Sequence, residues 1–153
     1  MFFKAISICF ILSTFQPPCT GFAQFKDLYF TIESKDELTS FLDTFQNDHC
    51  DEMRPYLASA TMLQAKYSFF PHKKFQYFIS GKKMLEAYIK DNPDNIEGRY
   101  IRLITQINTP GFLGYRKNIV EDKSFVESHV DNADLSLDYR NKIQQTISEL
   151  NSK

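Results

Sequence analysis

Tryptophan is absent from this chain, and cysteine, glycine and proline are scarce, at three, five and six among 153 residues. Cys9 and Cys19 fall within an N-terminal leader described below, which leaves Cys50 alone in the remaining chain. On that reading no internal disulfide forms, and a disulfide-dependent extracellular scaffold is excluded. There is no N-x-[S/T] sequon after residue 23. No apolar run reaches the ~20 residues that a bilayer-spanning helix needs. Charge of one sign is lacking too. Lys and Arg number 18 and Asp and Glu 19, and removal of Lys4 leaves 17 against 19, a net charge of −2. A near-neutral surface argues against nucleic acid as the partner.

What is present begins with the leader. Lys4 is the only charge before residue 24, Ala5 to Phe15 is mainly apolar, and Gly21-Phe22-Ala23 is a small-x-small cleavage signal. Residues 1–23 are expected to be a signal peptide cut after Ala23, giving an exported, periplasmic or extracellular protein. A lipid anchor at Cys19 is disfavoured, because Pro17-Pro18 lacks the leucine and small residue of a lipid-attachment motif. Residues 24–153 are then a single domain long enough for a real core.

Helical spacing runs through almost all of that domain. Residues 24–33 are aromatic and β-branched and predict an extended arm. Ser34 and Glu37 form a capping box ahead of Leu38, Phe41, Leu42 and Phe45, the apolar face of a first helix. A second helix starts near Pro55, with Met53, Tyr56, Leu57, Ala60, Leu63 and Tyr67 inward. Residues 69–74 read as a linker. The clearest stretch, 75–107, is a helical hairpin about the turn Asn92-Pro93-Asp94, with Phe78, Gly81, Leu85, Tyr88 and Ile89 on one helix face. Ile96, Tyr100, Leu103, Ile104 and Ile107 line the other helix. Asp94 is the expected cap of the second helix, with Glu97 completing its box. A further helix places Tyr115, Ile119, Asp122, Lys123, Val126 and Val130 on one face, and a last one turns Tyr139, Ile143, Ile147 and Leu150 inward. The expectation is all-α, antiparallel helical hairpins in an array or bundle of about five to six helices.

Gly81, Leu85 and Pro93 are spaced as in the second helix of a tetratricopeptide unit, and the hairpin over Met62–Asn95 resembles one. Tyr88 stands where that family usually has alanine, and Phe69 and Pro71 depart from its first helix. The resemblance implies a helical array that binds proteins or peptides, and it implies that Gly81 is kept for close backbone approach. Residues 110–126 are also similar to small exported bacterial proteins, a likeness that carries no function.

Chemistry is thin. His49-Cys50-Asp51-Glu52 offers four ligand types, but four consecutive side chains do not converge on one ion, and no second cluster has zinc-like spacing. No metal or cofactor is expected. Cys50 reads as a plain, partly buried thiol, and His72 and His129 stand alone. No nucleophile-elbow, zincin, P-loop or dinucleotide-binding fingerprint occurs. Lys82 and Lys83 on one helix of the hairpin, with Lys73 and Lys74 before them, and Arg99 and Arg102 on the other, are the candidate binding residues. They could line a groove for a carboxylate-bearing partner, with Tyr77, Tyr100 and Tyr115 adding aromatic contacts. The plainer reading is a solvated face in which Lys82, Glu86 and Lys90 form ordinary helix ion pairs. Two functions are compatible with this pattern. One is a non-catalytic adaptor for a protein or peptide. The other is a small enzyme or enzyme inhibitor drawing on Glu121, Asp122 and His129, to be told apart by whether a pocket holds a carboxylate pair.

Overall fold

The Ser34–Glu37 capping box forms as the sequence predicts. The Ser34 hydroxyl accepts from the Glu37 N–H at 3.2 Å, and the Glu37 carboxylate accepts from the Ser34 N–H at 2.9 Å. It opens one of seven α-helices in a computed structural model that describes residues 19–48 and 50–152. These are α1 (Phe22–Phe30), α2 (Lys35–Phe45), α3 (Arg54–Tyr67), α4 (Pro71–Asp91), α5 (Ile96–Asn108), α6 (Ile119–His129) and α7 (Leu137–Asn151). Single 3-10 turns precede α3, follow α5 and follow α6. The described residues contain no strand, so the all-α expectation holds, with one or two more helices than foreseen.

The arm expected over residues 24–33 is instead α1. Its aromatic residues recur at helical spacing, and the helix docks. Phe25 is fully buried, with its ring 5.0 Å from those of Phe41 and Phe45 and 5.6 Å from that of Tyr56. Residues 1–18 of the expected leader, and His49, lie outside the described residues. The end of the leader does not: Gly21 is the N-cap of α1, and Phe22 and Ala23 form its first turn. A second correction concerns cysteine. Cys19 and Cys50 form a disulfide, with Cα atoms 5.8 Å apart.

α3 is the central strut, packed along α4 and also touching α1, α2 and α5. Its Ala58 is fully buried, and its backbone is where α4 approaches most closely. Gly81 answers that approach. A Cβ there would collide with the Ala58 carbonyl oxygen and stand 2.6 Å from Met62 Cγ and 2.8 Å from Met62 N. This is the close backbone contact expected for that glycine, and it outweighs the roughly 1 kcal/mol a mid-helix glycine costs.

Of the linker expected over residues 69–74, only Phe69 and Phe70 connect helices. α4 begins at Pro71, which occupies a position where its missing N–H is harmless, and the helix runs 21 residues. α5 is capped by Asn95, not Asp94: the Asn95 Oδ1 accepts from the Gly98 N–H at 2.7 Å. Glu97, freed from any box, reaches Lys26 of α1 at 3.0 Å and also accepts from the Tyr56 hydroxyl. α5 buries more than one face. Ile101, Arg102, Thr105 and Gln106 are buried beside the expected Tyr100 and Leu103, because α3, α4 and α6 all pack on it.

Candidate functional site

Two concavities and one buried ion cluster stand out. The larger concavity is built by the corner between α3 and α4. Proline at 71 disfavours helical geometry at Phe70, whose backbone is extended (φ −87°, ψ 124°), so α3 ends and the chain turns. The turn leaves Phe69 89% and Phe70 52% exposed, with their rings edge-on at 5.8 Å. Below them lies a groove of about 490 Å³ against α2, with Leu38 and Leu42 on one wall and Tyr67 and Tyr77 on the other. Lys35 and Lys73 stand on its rim with Asp43, and Lys73 Nζ lies 5.6 Å from the Phe70 ring centroid. The Tyr67 hydroxyl donates to the Glu33 carbonyl at 2.8 Å and ties the corner to the start of α2.

The second cleft, about 410 Å³, separates α1 from α7 and is lined by Phe22, Phe30, Tyr139, Lys26 and Lys142 among others. Lys142 Nζ sits 3.5 Å from the Phe30 ring centroid, and burial pushes its ammonium below the ordinary lysine range. Lys26 is already engaged, bonded to Glu97 and 4.3 Å from the Tyr139 ring centroid. Behind it the Tyr56 and Tyr139 hydroxyls are 2.7 Å apart. Burial raises both phenols well above their usual value, so they stay neutral hydrogen-bonding groups.

The ion cluster takes up the two arginines of the expected binding face. Arg102 is 4% exposed and points inward. Its Nε and Nη2 donate to the two oxygens of fully buried Asp122 at 2.6 and 2.7 Å, and its Nη1 donates to Glu86 at 3.1 Å. Burial works against the charge on Arg102, but the bonds to Asp122 outweigh it and hold the guanidinium above its ordinary range. Arg99 donates from Nη1 to Glu121 at 2.7 Å and to Asp122 at 3.1 Å, and from Nε to the Pro93 carbonyl at 2.7 Å. The Tyr115 hydroxyl, almost fully buried, donates to Glu86 at 2.6 Å.

The six expected binding residues therefore divide. Arg102 and Tyr115 meet at Glu86, and Lys82 covers the Tyr115 ring at 4.9 Å from its centroid. Arg99 is held against α6, Lys83 is exposed, and Tyr77 lines the corner groove on another side of α4. Tyr100, offered as a further aromatic contact, is buried and bonded to Thr146 at 3.0 Å. Glu86 turns to Arg102 and Tyr115, so the Lys82–Glu86–Lys90 ladder does not describe it. On α6, bonding to Arg99 holds the exposed Glu121 carboxyl below the usual range, and His129 stacks on Phe125 at 4.2 Å. The Phe69–Phe70 corner was missed because these residues read as linker. Two adjacent aromatics before a proline, in a connection too short to fold over them, were the available signal.

Among the described residues, Cys19, Cys50 and Glu52 bring ligand-type atoms within 4.8 Å of one another. No described helix is long and apolar enough to cross a membrane. Set against family models, curated proteins and solved structures, the chain matches none. The class of protein is thus defined by the fold alone, an all-helical array with an open aromatic corner.

Proposed function

We propose that this protein is an exported, non-catalytic helical adaptor that holds a peptide segment of a protein partner in the groove beneath Phe69 and Phe70. The observation that carries the reading is the corner itself. Two adjacent phenylalanines held open to water at the mouth of a groove of mixed polar and apolar lining cost solvation, and aromatic side chains in such positions are typical binding anchors. Lys35 and Lys73 against the single Asp43 favour a segment with an apolar anchor and an acidic flank. This moves the site from the Arg99–Arg102 face, whose charges are neutralised internally, to the opposite end of α4. Lys82 and Lys83 play no part in it, and Tyr77 and Lys73 are the expected residues that line it. The enzyme or inhibitor reading draws on Glu121 and Asp122, and both carboxylates are taken up by arginines.

The test is a selection of random displayed peptides on the protein. Recovered sequences should share an apolar anchor beside acidic residues, and a Phe69→Ser, Phe70→Ser variant with an unchanged melting curve should bind them at least tenfold more weakly. Peptides that bind this variant as well as the parent would remove the groove from consideration.

A further inference from the structure

We propose that the leader is cut upstream of Cys19, not after Ala23, and that the mature protein keeps Cys19 in a disulfide with Cys50. From sequence Cys19 has two fates, removal with the leader or lipid attachment, and the fold adds a third, pairing with Cys50. The fold discriminates among them. A cut after Ala23 would pass through the first turn of α1 and strip away parts of the domain. It would remove Gly21, whose carbonyl accepts from the Phe25 N–H at 2.9 Å. It would also remove Phe22, whose ring stacks on Phe25 at 6.0 Å, meets Tyr56 edge-on at 5.9 Å, and lies under Lys26 Nζ at 4.6 Å. These contacts surround Phe25, one of the most buried side chains in the molecule.

Cys19 stands two residues before that cap. Its Cα lies 5.8 Å from that of Cys50, within the usual disulfide range, across a sequence separation of 31. Lipid attachment would consume the Cys19 sulfur in a thioether and leave Cys50 unpaired. The disulfide ties the start of α1 to the turn before α3 and adds a covalent link to the packing of α1 on that turn. The Glu52 carboxylate lies against both sulfurs, 3.1 Å from that of Cys50. A carboxylate there repels an incoming thiolate, so the link resists exchange once made.

Formation needs an oxidant, and a protein disulfide carrier of an oxidising compartment supplies it. One cysteine thiolate attacks the carrier's disulfide and forms a mixed disulfide. The second then displaces the carrier. One S–S bond forms here and one breaks in the carrier, which leaves as a dithiol with the two electrons.

The test uses the full chain, expressed with its own N-terminus in an exporting bacterial host and purified without reductant. The mature N-terminus should fall between residue 2 and Cys19. The intact mass should rise by about 2 Da on reduction, the two hydrogens of the opened disulfide, and no Cys19 or Cys50 thiol should alkylate beforehand. Reduction, and independently Cys50→Ser, should lower the melting temperature by on the order of 10 °C. Any of the following overturns the proposal: a start at Gln24 or elsewhere after Cys19, a chain still beginning at Met1, or a lipid on Cys19. So does free alkylation of either thiol, or stoichiometric zinc held by the two thiols and Glu52. If Cys50→Ser fails to fold, the mass and N-terminal results on the wild type still decide. Peptide binding at the Phe69–Phe70 corner is read separately, so either idea can fail alone.

Discussion

Arg102 on α5 and Asp122 on α6 face each other through two parallel hydrogen bonds of 2.6 and 2.7 Å, in a place where the carboxylate has no exposure to water. The planar fork of arginine fits the carboxylate, and the geometry makes this the junction that fixes α6 on α5. Removing one partner leaves the other as an uncompensated buried charge. Asp122→Ala should therefore destabilise the protein by about 3–5 kcal/mol in urea or thermal unfolding. An Arg102→Met, Asp122→Leu double variant should cost clearly less than the two single losses combined, because both desolvation penalties disappear together. Additive losses would show that the pair is not coupled.

Gly81→Ala separates local propensity from packing. Helix propensity alone favours alanine by roughly 1 kcal/mol. The Ala58 carbonyl oxygen in the path of the new methyl predicts the opposite sign, a loss of about 1–3 kcal/mol. Truncating Met62 in the same variant should not restore stability, since the obstructing carbonyl is backbone. A stabilised Gly81→Ala protein would mean that α3 and α4 sit further apart.

Leu85, Glu86 and Lys83 are close neighbours on α4 with three different environments. Leu85 is fully buried, so Leu85→Ala should cost about 2–5 kcal/mol. Glu86 reads from sequence as half of a surface pair, but it accepts from Tyr115 and Arg102. Glu86→Ala should cost about 1–3 kcal/mol by leaving those donors unpaired. Lys83→Ala should stay within about 0.5 kcal/mol. Equal thermal shifts for Glu86→Ala and Lys83→Ala would dismiss the buried role of Glu86.

Alkaline pH should unfold the protein through its tyrosines. Burial pushes Tyr29 and Tyr88 up to about 12, and it raises Tyr56, Tyr100, Tyr115 and Tyr139 as well. A phenol whose pKa is raised by folding contributes its stability fully below the unfolded value of 10.0 and loses it as pH climbs through the folded value. The melting temperature should fall steeply above about pH 10, and phenolate absorbance should appear together with loss of helical circular dichroism. Six phenols ionising near pH 10 in a still-folded protein would contradict this burial.

The sequence determined the local elements. Spacing at three and four residues placed the helices now called α2, α3, α5 and α7, the later turns of α4, and α6 from Ile119 on though not Tyr115 before it, because burying one helix face is a nearest-neighbour demand written every turn. The Ser34–Glu37 box and the compensation at Gly81 were legible for a similar reason: each follows from what a helix end or a helix–helix contact requires of one residue type. Tertiary structure decided everything that depends on partners distant in the chain. α1 forms because Phe22, Phe25 and Tyr29 find Tyr56, and no pattern within 24–33 names that ring. Arg102 looks like a solvent-facing cation until α6 brings Asp122 over it, 20 residues away. Cys19 looks disposable until the fold sets it beside Cys50. A charge, a thiol or an aromatic ring carries no local sign of whether water or another side chain will meet it, since that choice is made by desolvation and long-range packing.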